Sequence, residues 1–449
     1  MKALSAIRKR ISNAHPDHHA IVRGMVRVAL FVFLGKLVGA AKEMVIAYRY
    51  GVSDQVDAYL FINNLISWPV SVWFSILTIV LLPLAARIRQ NALAELPHFK
   101  AELFAFALVL GCDLALIFWF GLPILLRSSW LGLSTSTVSI ANDITPDMVA
   151  LAPLGILVSL FSAWMMSSGR HANTLLESVP ALAILVALLI LPSGGVEPLV
   201  WGTLAGFICH VASLAVPLAW RGEIEMPRFT SHSPQWTVFW QGFGIMLVGQ
   251  TLMSFIGIVD QFFAARLDTG AIATLSYANR ILALILGLGA TAVSRATLPV
   301  FSRIKSQEGK QLQRIAMFWV RLMMVLGVVT LIISWWLAPW IVKLLFERGA
   351  FTARNTEAVT EVFRYGLVQI PFFFPALALV ALLASQGKHS LIAIGGITNL
   401  LVKTGANYVL VPIMGINGII LATGIMYMAS SLQLYWVAAM VLKQRETTG

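Results

Sequence analysis

Leu82-Pro83-Leu84-Ala85-Ala86-Arg87-Ile88 and Leu298-Pro299-Val300-Phe301-Ser302-Arg303-Ile304 carry one signature twice, each copy closing an apolar helix. Residue 298 less residue 82 gives an offset of 216. Carried backwards without a gap, the same offset sets Asn63 on Asn279 and Asn64 against Arg280. The chain therefore contains an internal repeat. In a membrane protein, two similar halves imply a pair of bundles that rock about a shared central site, which is the architecture of a transporter.

The membrane assignment follows from composition. Apolar residues make up 58% of the 449 positions, charged residues only 12%, and mean hydropathy is +0.82. A soluble globular chain carries about 25% charged residues. Twelve apolar stretches are each long enough to cross a hydrocarbon core of about 30 Å. They fall near 25–49, 58–86, 101–126, 148–169, 174–193, 197–220, 235–265, 271–302, 315–345, 357–385, 390–411 and 416–441. The predicted fold is an all-α polytopic membrane protein with about twelve transmembrane helices in two six-helix lobes. An even number of spans per half gives both halves one orientation, so the lobes are related by a parallel pseudo-two-fold repeat. The expected organisation is a basic cytoplasmic tail over 1–24, an N-terminal lobe over 25–220, and a cytoplasmic linker over 221–234. A C-terminal lobe over 235–442 and a short tail over 443–449 complete it. No extramembrane stretch reaches the roughly 50 residues of a small domain. Function must then lie within the spans, and the chain reads as a transporter, not an enzyme.

Charge fixes the topology. With the amino terminus in the cytoplasm, 18 of the 32 Lys and Arg residues fall in cytoplasmic segments, satisfying the positive-inside rule. Both termini are then cytoplasmic, and the expected location is the bacterial inner membrane. The net charge of +12 is a topological signal, and without a soluble basic domain it does not indicate nucleic-acid binding. Arg8, Lys9 and Arg10 read as a tail that anchors in the cytoplasm and touches anionic lipid. Gly39-Ala40-Ala41 has the small residues of a cleavage site, but the first span is too long and too charged for a signal peptide. Cys112 and Cys209 each sit inside an apolar span, so neither a disulfide framework nor a thiolate metal site is implied. No cofactor motif is evident. Gly287-x-Gly289-x-x-Ala292 has the form of a dinucleotide fingerprint but lies inside a span with no preceding strand. His15, His18 and His19 occupy a polar tail without acidic or Cys companions.

Ionisable residues within spans cost about 2.5 to 3.5 kcal/mol each on insertion scales and are functional candidates by default. The first span carries Lys36, Lys42 and Glu43. On an unbroken helix Lys36 and Glu43 share a face and Lys42 lies about 120° away, while a bend at Gly39 would turn both amines into one cavity. The alternative is that Lys36 pairs with Glu43 and Lys42 snorkels to the interface. Arg280, beside Asn279, lies about 15 Å from the outer end of the eighth span, too deep for easy escape to water. Its planar fork suits a phosphate or a carboxylate, the latter supplied by Asp260 or Asp57. Arg321, Arg364 and Lys403 lie in or near spans nine to eleven. Asp113, Glu177 and Glu361 are available as counter-ions, and each such basic residue alone reads better as half of a structural pair.

The run Gly35-Lys36-Leu37-Val38-Gly39-Ala40-Ala41-Lys42-Glu43, followed by Tyr50-Gly51 and Asp57-Ala58-Tyr59, resembles the opening of the MurJ (MviN) lipid II flippases. These belong to the multidrug/oligosaccharidyl-lipid/polysaccharide (MOP) exporter superfamily. Tyr277-Ala278-Asn279-Arg280 running to Leu298-Pro299 looks like the family's eighth span, and Leu344-Leu345-Phe346-x-Arg348-Gly349-x-Phe351-Thr352 like its loop before span ten. Asn407, Pro412, Gly415 and Gly418 resemble a carboxy-terminal pattern common among polysaccharide exporters.

The resemblance implies a flippase that carries an undecaprenyl-pyrophosphate-linked saccharide from the inner to the outer leaflet. By the same resemblance, Arg280, Lys36 and Lys42 bind the pyrophosphate. Glu43, Asp57, Asn63, Asn279 and Asp260 support them, and Arg321, Arg364 and Lys403 are secondary. Lys36 and Lys42 stand where the family has arginines, and Glu43 where it has aspartate. The family's second span brings another Arg and an acidic residue, where this chain has Val70-Ser71-Val72-Trp73-Phe74-Ser75. The family also adds two spans beyond the twelve found here. These departures point to the repeat unit of an exported polysaccharide as cargo. Lipid II is the alternative cargo, and a cation-coupled drug or small-solute antiporter the second alternative. The membrane potential, and antiport of Na+ or H+ through Asp57 or Asp260, are both open as energy sources. A polysaccharide polymerase or glycosyltransferase is open as a partner.

Overall fold

A computed structural model describes residues 16–168, 173–192, 194–303, 309–385 and 389–448. The basic triplet Arg8-Lys9-Arg10, His15 and Ile304 lie outside the described residues. Every regular element among the described residues is helical, as expected of an all-α membrane protein. The chain runs through α1 (Pro16–Tyr50), α2 (Asp54–Ile76), a π turn (Leu77–Leu81), α3 (Leu82–Asn91), α4 (Leu96–Leu126), α5 (Thr135–Met148) and α6 (Leu151–Ser167). It continues through α7 (Asn173–Leu176), α8 (Val179–Ile190), α9 (Glu197–Ala219), α10 (Gln235–Ala264) and α11 (Ala271–Arg303). The last elements are α12 (Gly309–Phe346), α13 (Ala353–Leu367), α14 (Ile370–Ser385), α15 (His389–Met414) and α16 (Ile416–Thr448).

Among the described residues, seven helical segments are long and apolar enough to cross a bilayer, or nine when each of two bent pairs counts as one span. Long helices also cover the expected first and eleventh spans, Pro16–Tyr50 and His389–Met414. The expected fifth span holds only the 12-residue apolar helix Val179–Ile190, about 18 Å of rise against a core of about 30 Å. The first copy of the Leu-Pro signature begins α3 directly after the π turn, with Pro83 in its first turn. Proline has no amide to donate and its ring crowds the carbonyl four residues earlier, here Ile79 inside the π turn, so one wide turn absorbs the clash. The second copy, Leu298-Pro299, falls within α11.

The repeat is legible in the helices themselves. The two bent pairs are Thr135–Met148 with Leu151–Ser167 and Ala353–Leu367 with Ile370–Ala384, close to one repeat apart. Each opens on a hydroxyl cap: Ser134 Oγ accepts from Thr137 N, and Thr352 Oγ1 from Asn355 N. Glycines recur at the same offset. A Cβ on Gly111 would lie 2.7 Å from Pro153 Cα, and one on Gly327 2.7 Å from Pro371 Cα. Gly202 likewise faces Ile184 and Ala187 of α8, and its counterpart Gly418 faces the Leu410 carbonyl of α15. Small residues at these positions let helix backbones approach closely, which is how helices associate where lipid is as apolar as the side chains.

The chain packs into two compact units, each drawn from several separate segments. Unit 1 comprises Met1–Val45, Leu77–Leu114 and Ala150–Phe239. Its interior includes Phe99, Trp164, Leu214 and Phe239. The segment between α9 and α10 is tied into this unit through Glu102 of α4, whose carboxylate accepts from Thr230 Oγ1, the His232 and Ser233 amides and Trp236 Nε1. Four donors on one buried carboxylate offset the cost of taking its charge out of water.

Unit 2 comprises Ile46–Ile76, Ala115–Val149 and Trp240–Gly449. Its core includes the ring cluster Tyr277, Phe346 and Phe351, with centroids 5.0 to 5.7 Å apart. Three segments that carry the family resemblance meet here. Gly51 and Gly349 both take φ of +58°, Ala350 N donates to the Tyr48 carbonyl at 2.8 Å, and Tyr277 Oη donates to the Gly51 carbonyl at 3.0 Å. A side chain on Gly51 would strike the Ala350 carbonyl, and one on Gly349 the Tyr48 carbonyl. Both glycines therefore serve a turn-to-turn seam.

Candidate functional site

A cavity of about 440 Å³ lies within unit 2 between α2, α10 and α11. Helix α2 contributes Asn64, Ser67, Trp68 and Ser71, α10 contributes Ser254, Asp260 and Gln261, and α11 contributes Ser276, Asn279 and Arg280. Trp68 Nε1 donates to Ser254 Oγ at 2.9 Å, joining two of the walls. Asn279 and Arg280 are exposed into this space although neighbouring Tyr277 and Ala278 are buried, because a helix presents successive residues about 100° apart.

The mouth of α11 is set by Asp57. This buried carboxylate accepts from Gly270 N and Ala273 N, both at 2.7 Å, so a residue of one repeat caps the first turn of the equivalent helix in the other. A negative side chain at a helix amino terminus satisfies amides that have no partner within the helix and complements its dipole. Asp54 does a related task nearby, accepting from Ser134 Oγ and Thr137 Oγ1 at the start of α5. Asp57 thus positions α11, and with it Asn279 and Arg280.

Asp260 is engaged from behind. Its Oδ1 lies 2.8 Å from Lys403 Nζ and accepts from Asn407 Nδ2 at 3.0 Å. The carboxylates considered as partners for Arg280 are therefore occupied by other groups. The charged lining residues are Arg280 and Asp260, and Lys403 pairs with Asp260 from outside the lining. Hydroxyls, amides, an indole and a guanidinium on one wall can take a polar group that carries an anion.

The remaining candidates separate. Lys36, Lys42 and Glu43 belong to unit 1. Glu43 pairs with its neighbour Lys42 at 2.7 Å, in place of the Lys36 pairing weighed from helical spacing. Lys36 is exposed, and Glu177 lies within its electrostatic reach. Helical angles had separated Lys42 from Lys36, but adjacent long side chains meet readily by rotamer choice. Arg364 donates from Nε to the Trp335 carbonyl at 3.3 Å and lies over the Trp335 ring, and Glu361 accepts from Asn417 Nδ2. Arg321 is exposed on α12 and Asp113 on α4. Asn63 is half-buried, and Asn64, the residue in register with Arg280, is the one that lines the cavity. Ser67, Trp68, Ser71, Ser254, Gln261 and Ser276 were not anticipated as lining residues. Their signal was faint: uncharged polar residues at helical spacing among apolar ones.

Residues 46–447 match the family model described as "Lipid II flippase MurJ". The chain belongs to the MurJ family. A protein of Buchnera aphidicola subsp. Baizongia pistaciae (strain Bp), named as a probable lipid II flippase MurJ, is 21% identical over 371 residues, 78% of this chain and 71% of the relative. The fold is similar to that of a solved lipid II flippase MurJ in an inward closed conformation, with a TM-score of 0.80 at 19% identity over 92% of this chain and 87% of the other. It is also similar to an inward-facing multidrug resistance MATE family transporter of the MOP superfamily. There the TM-score is 0.75 at 15% identity over 92% and 96% of the two chains. The all-helical MOP architecture expected of a MurJ relative is thus present.

Proposed function

We propose that this chain flips an undecaprenyl-pyrophosphate-linked saccharide from the inner to the outer leaflet of a bacterial inner membrane, with lipid II as its cargo. The match of the MurJ lipid II flippase family model over residues 46–447 carries this reading. In it, Arg280 takes the pyrophosphate through its planar fork, and Asn279, Asn64 and Gln261 offer hydrogen bonds to phosphate or sugar. Lys36 and Lys42, which the resemblance also assigns to the pyrophosphate, lie in unit 1, where Lys42 pairs with Glu43. Both termini lie in the cytoplasm, and alternating access exposes the head group to each side in turn. An inside-negative potential assists outward movement of the anion by about 2.3 kcal/mol per charge per 100 mV.

A second cargo, the lipid-linked repeat unit of an exported polysaccharide, is favoured by one observation. Residues 70–75 carry neither the arginine nor the acid that the resemblance calls for, and of these Ser71 lines the cavity. Expression in cells depleted of their own lipid II flippase separates the two. Survival that depends on Arg280 is expected, with Arg280→Ala inserted but inactive. Lysis despite verified insertion would exclude lipid II and favour the polysaccharide precursor, and survival with Arg280→Ala would exclude the pyrophosphate role of Arg280.

A further inference from the structure

Lys403 is fully buried in unit 2, where α10, α15 and α16 supply its surroundings. Its Nζ lies 2.8 Å from Asp260 Oδ1 and donates to the Ile419 carbonyl and to Thr423 Oγ1, both at 2.6 Å. Asn407, one turn further along α15 and also fully buried, donates to the same Asp260 oxygen. Its own Oδ1 is a buried acceptor without a hydrogen-bond donor. A carboxylate, a carbonyl and a hydroxyl from two helices close on one positive point, with an amide oxygen to spare on a third. This is the hard-oxygen donor set that proteins build for alkali and alkaline-earth cations. Here the positive point is the end of a side chain. A lysine suits the place because its ammonium is a compact point charge, unlike a planar guanidinium.

The cage belongs to the second half alone. At the 216-residue offset, Asp260, Lys403, Asn407 and Thr423 correspond to Met44, Ala187, Leu191 and Phe207. The repeat does not by itself produce these polar groups, and a set of four within apolar helices is costly unless each member is used.

We propose that Lys403 is a tethered cation filling an alkali-cation site, so that this chain holds its second half together without bound Na+ or K+. Removing the ammonium would then convert the cage into a metal-cation site. Asp260, considered above as a coupling carboxylate, is committed to Lys403, so exchange with external Na+ at this position would require the lysine to withdraw. That consequence for transport rests on the flippase reading, whereas occupancy of the cage does not.

The test uses the purified full-length protein in detergent, melted in NaCl, KCl or choline chloride of equal ionic strength. Wild type is expected to melt at one temperature in all three. Lys403→Ala should melt lower in choline and recover with rising NaCl or KCl, and adding Asp260→Asn should abolish the recovery. Salt at about 100 times its dissociation constant shifts the folding equilibrium about 100-fold, well within detection. Selective stabilisation of the wild type by Na+ or K+, or a Lys403→Ala protein indifferent to both, would overturn the proposal. Should Lys403→Ala fail to accumulate, saturable binding of radiolabelled sodium to the wild type overturns it and absence of binding supports it. None of these readouts depends on the cargo.

Discussion

Replacing Asp57 should loosen the helix that carries Arg280. In Asp57→Ala two buried amides, Gly270 N and Ala273 N, lose acceptors now 2.7 Å away. Each unsatisfied buried donor costs about 1–3 kcal/mol, and loss of a negative charge at a helix amino terminus adds about 0.3–1 kcal/mol, so about 2–7 kcal/mol is at stake. Water reaching the cavity left by the side chain would place the result toward the lower end. Asp57→Asn keeps one acceptor oxygen and should lose roughly half as much. The assay is thermal unfolding of the purified protein alongside hydrogen exchange at the first turn of α11. Asp57→Ala should lower the melting temperature by several degrees and speed exchange at residues 271–275, with Asp57→Asn intermediate. A melting temperature and exchange rates unchanged in Asp57→Ala would refute the assignment of Asp57 as the cap.

Gly206 lies against Pro180, where an added Cβ would fall 2.8 Å from Pro180 Cα, so Gly206→Leu should destabilise unit 1 by about 1–3 kcal/mol. Gly206→Ala against Gly121→Ala, whose Cβ meets nothing within 4 Å, is the matched comparison, and equal melting of these two would contradict the packing argument. Glu102→Ala removes the acceptor shared by Thr230, His232, Ser233 and Trp236, so trypsin should cut after Arg228 faster than in wild type; an unchanged rate would show that this carboxylate does not hold the linker. Exchanging the partners in Lys42→Glu/Glu43→Lys should preserve the pair and accumulate better than Glu43→Lys alone, whereas Lys36→Glu/Glu43→Lys should give no such rescue. Equal recovery by the two double variants would mean that Glu43 interacts with both lysines.

Much of this protein was written in periodicity and depth. The Leu-Pro signatures marked a repeat, and the structure carries it into features no motif named: bent pairs at 135–167 and 353–384, and glycines 111, 202, 327 and 418 in register. Arg280 was recognisable because a guanidinium deep in an apolar run has few uses, and it does line a cavity. Hydropathy registers an apolar run but not a break within it, so the bends at 148–151 and 367–370 and the short helix Val179–Ile190 show only in the structure. The polar lining of that cavity was harder to see, because Ser67, Ser71, Ser254 and Ser276 cost little in a helix and leave no signature.

The sequence by itself determined that the chain lies in a membrane, that it contains two related halves, and which few charges have to be explained. These follow from transfer energies that act residue by residue. Only the tertiary structure decided which charge meets which. Asp57 and Asp260 looked alike as free carboxylates, yet one caps the helix equivalent to its own and the other holds a lysine 143 residues away, since 403 less 260 is 143. Such pairings depend on the crossing of helices distant in the chain. In a low-dielectric interior the energy of an ion pair is set by ångström-scale separation, a quantity that spacing along the chain does not encode.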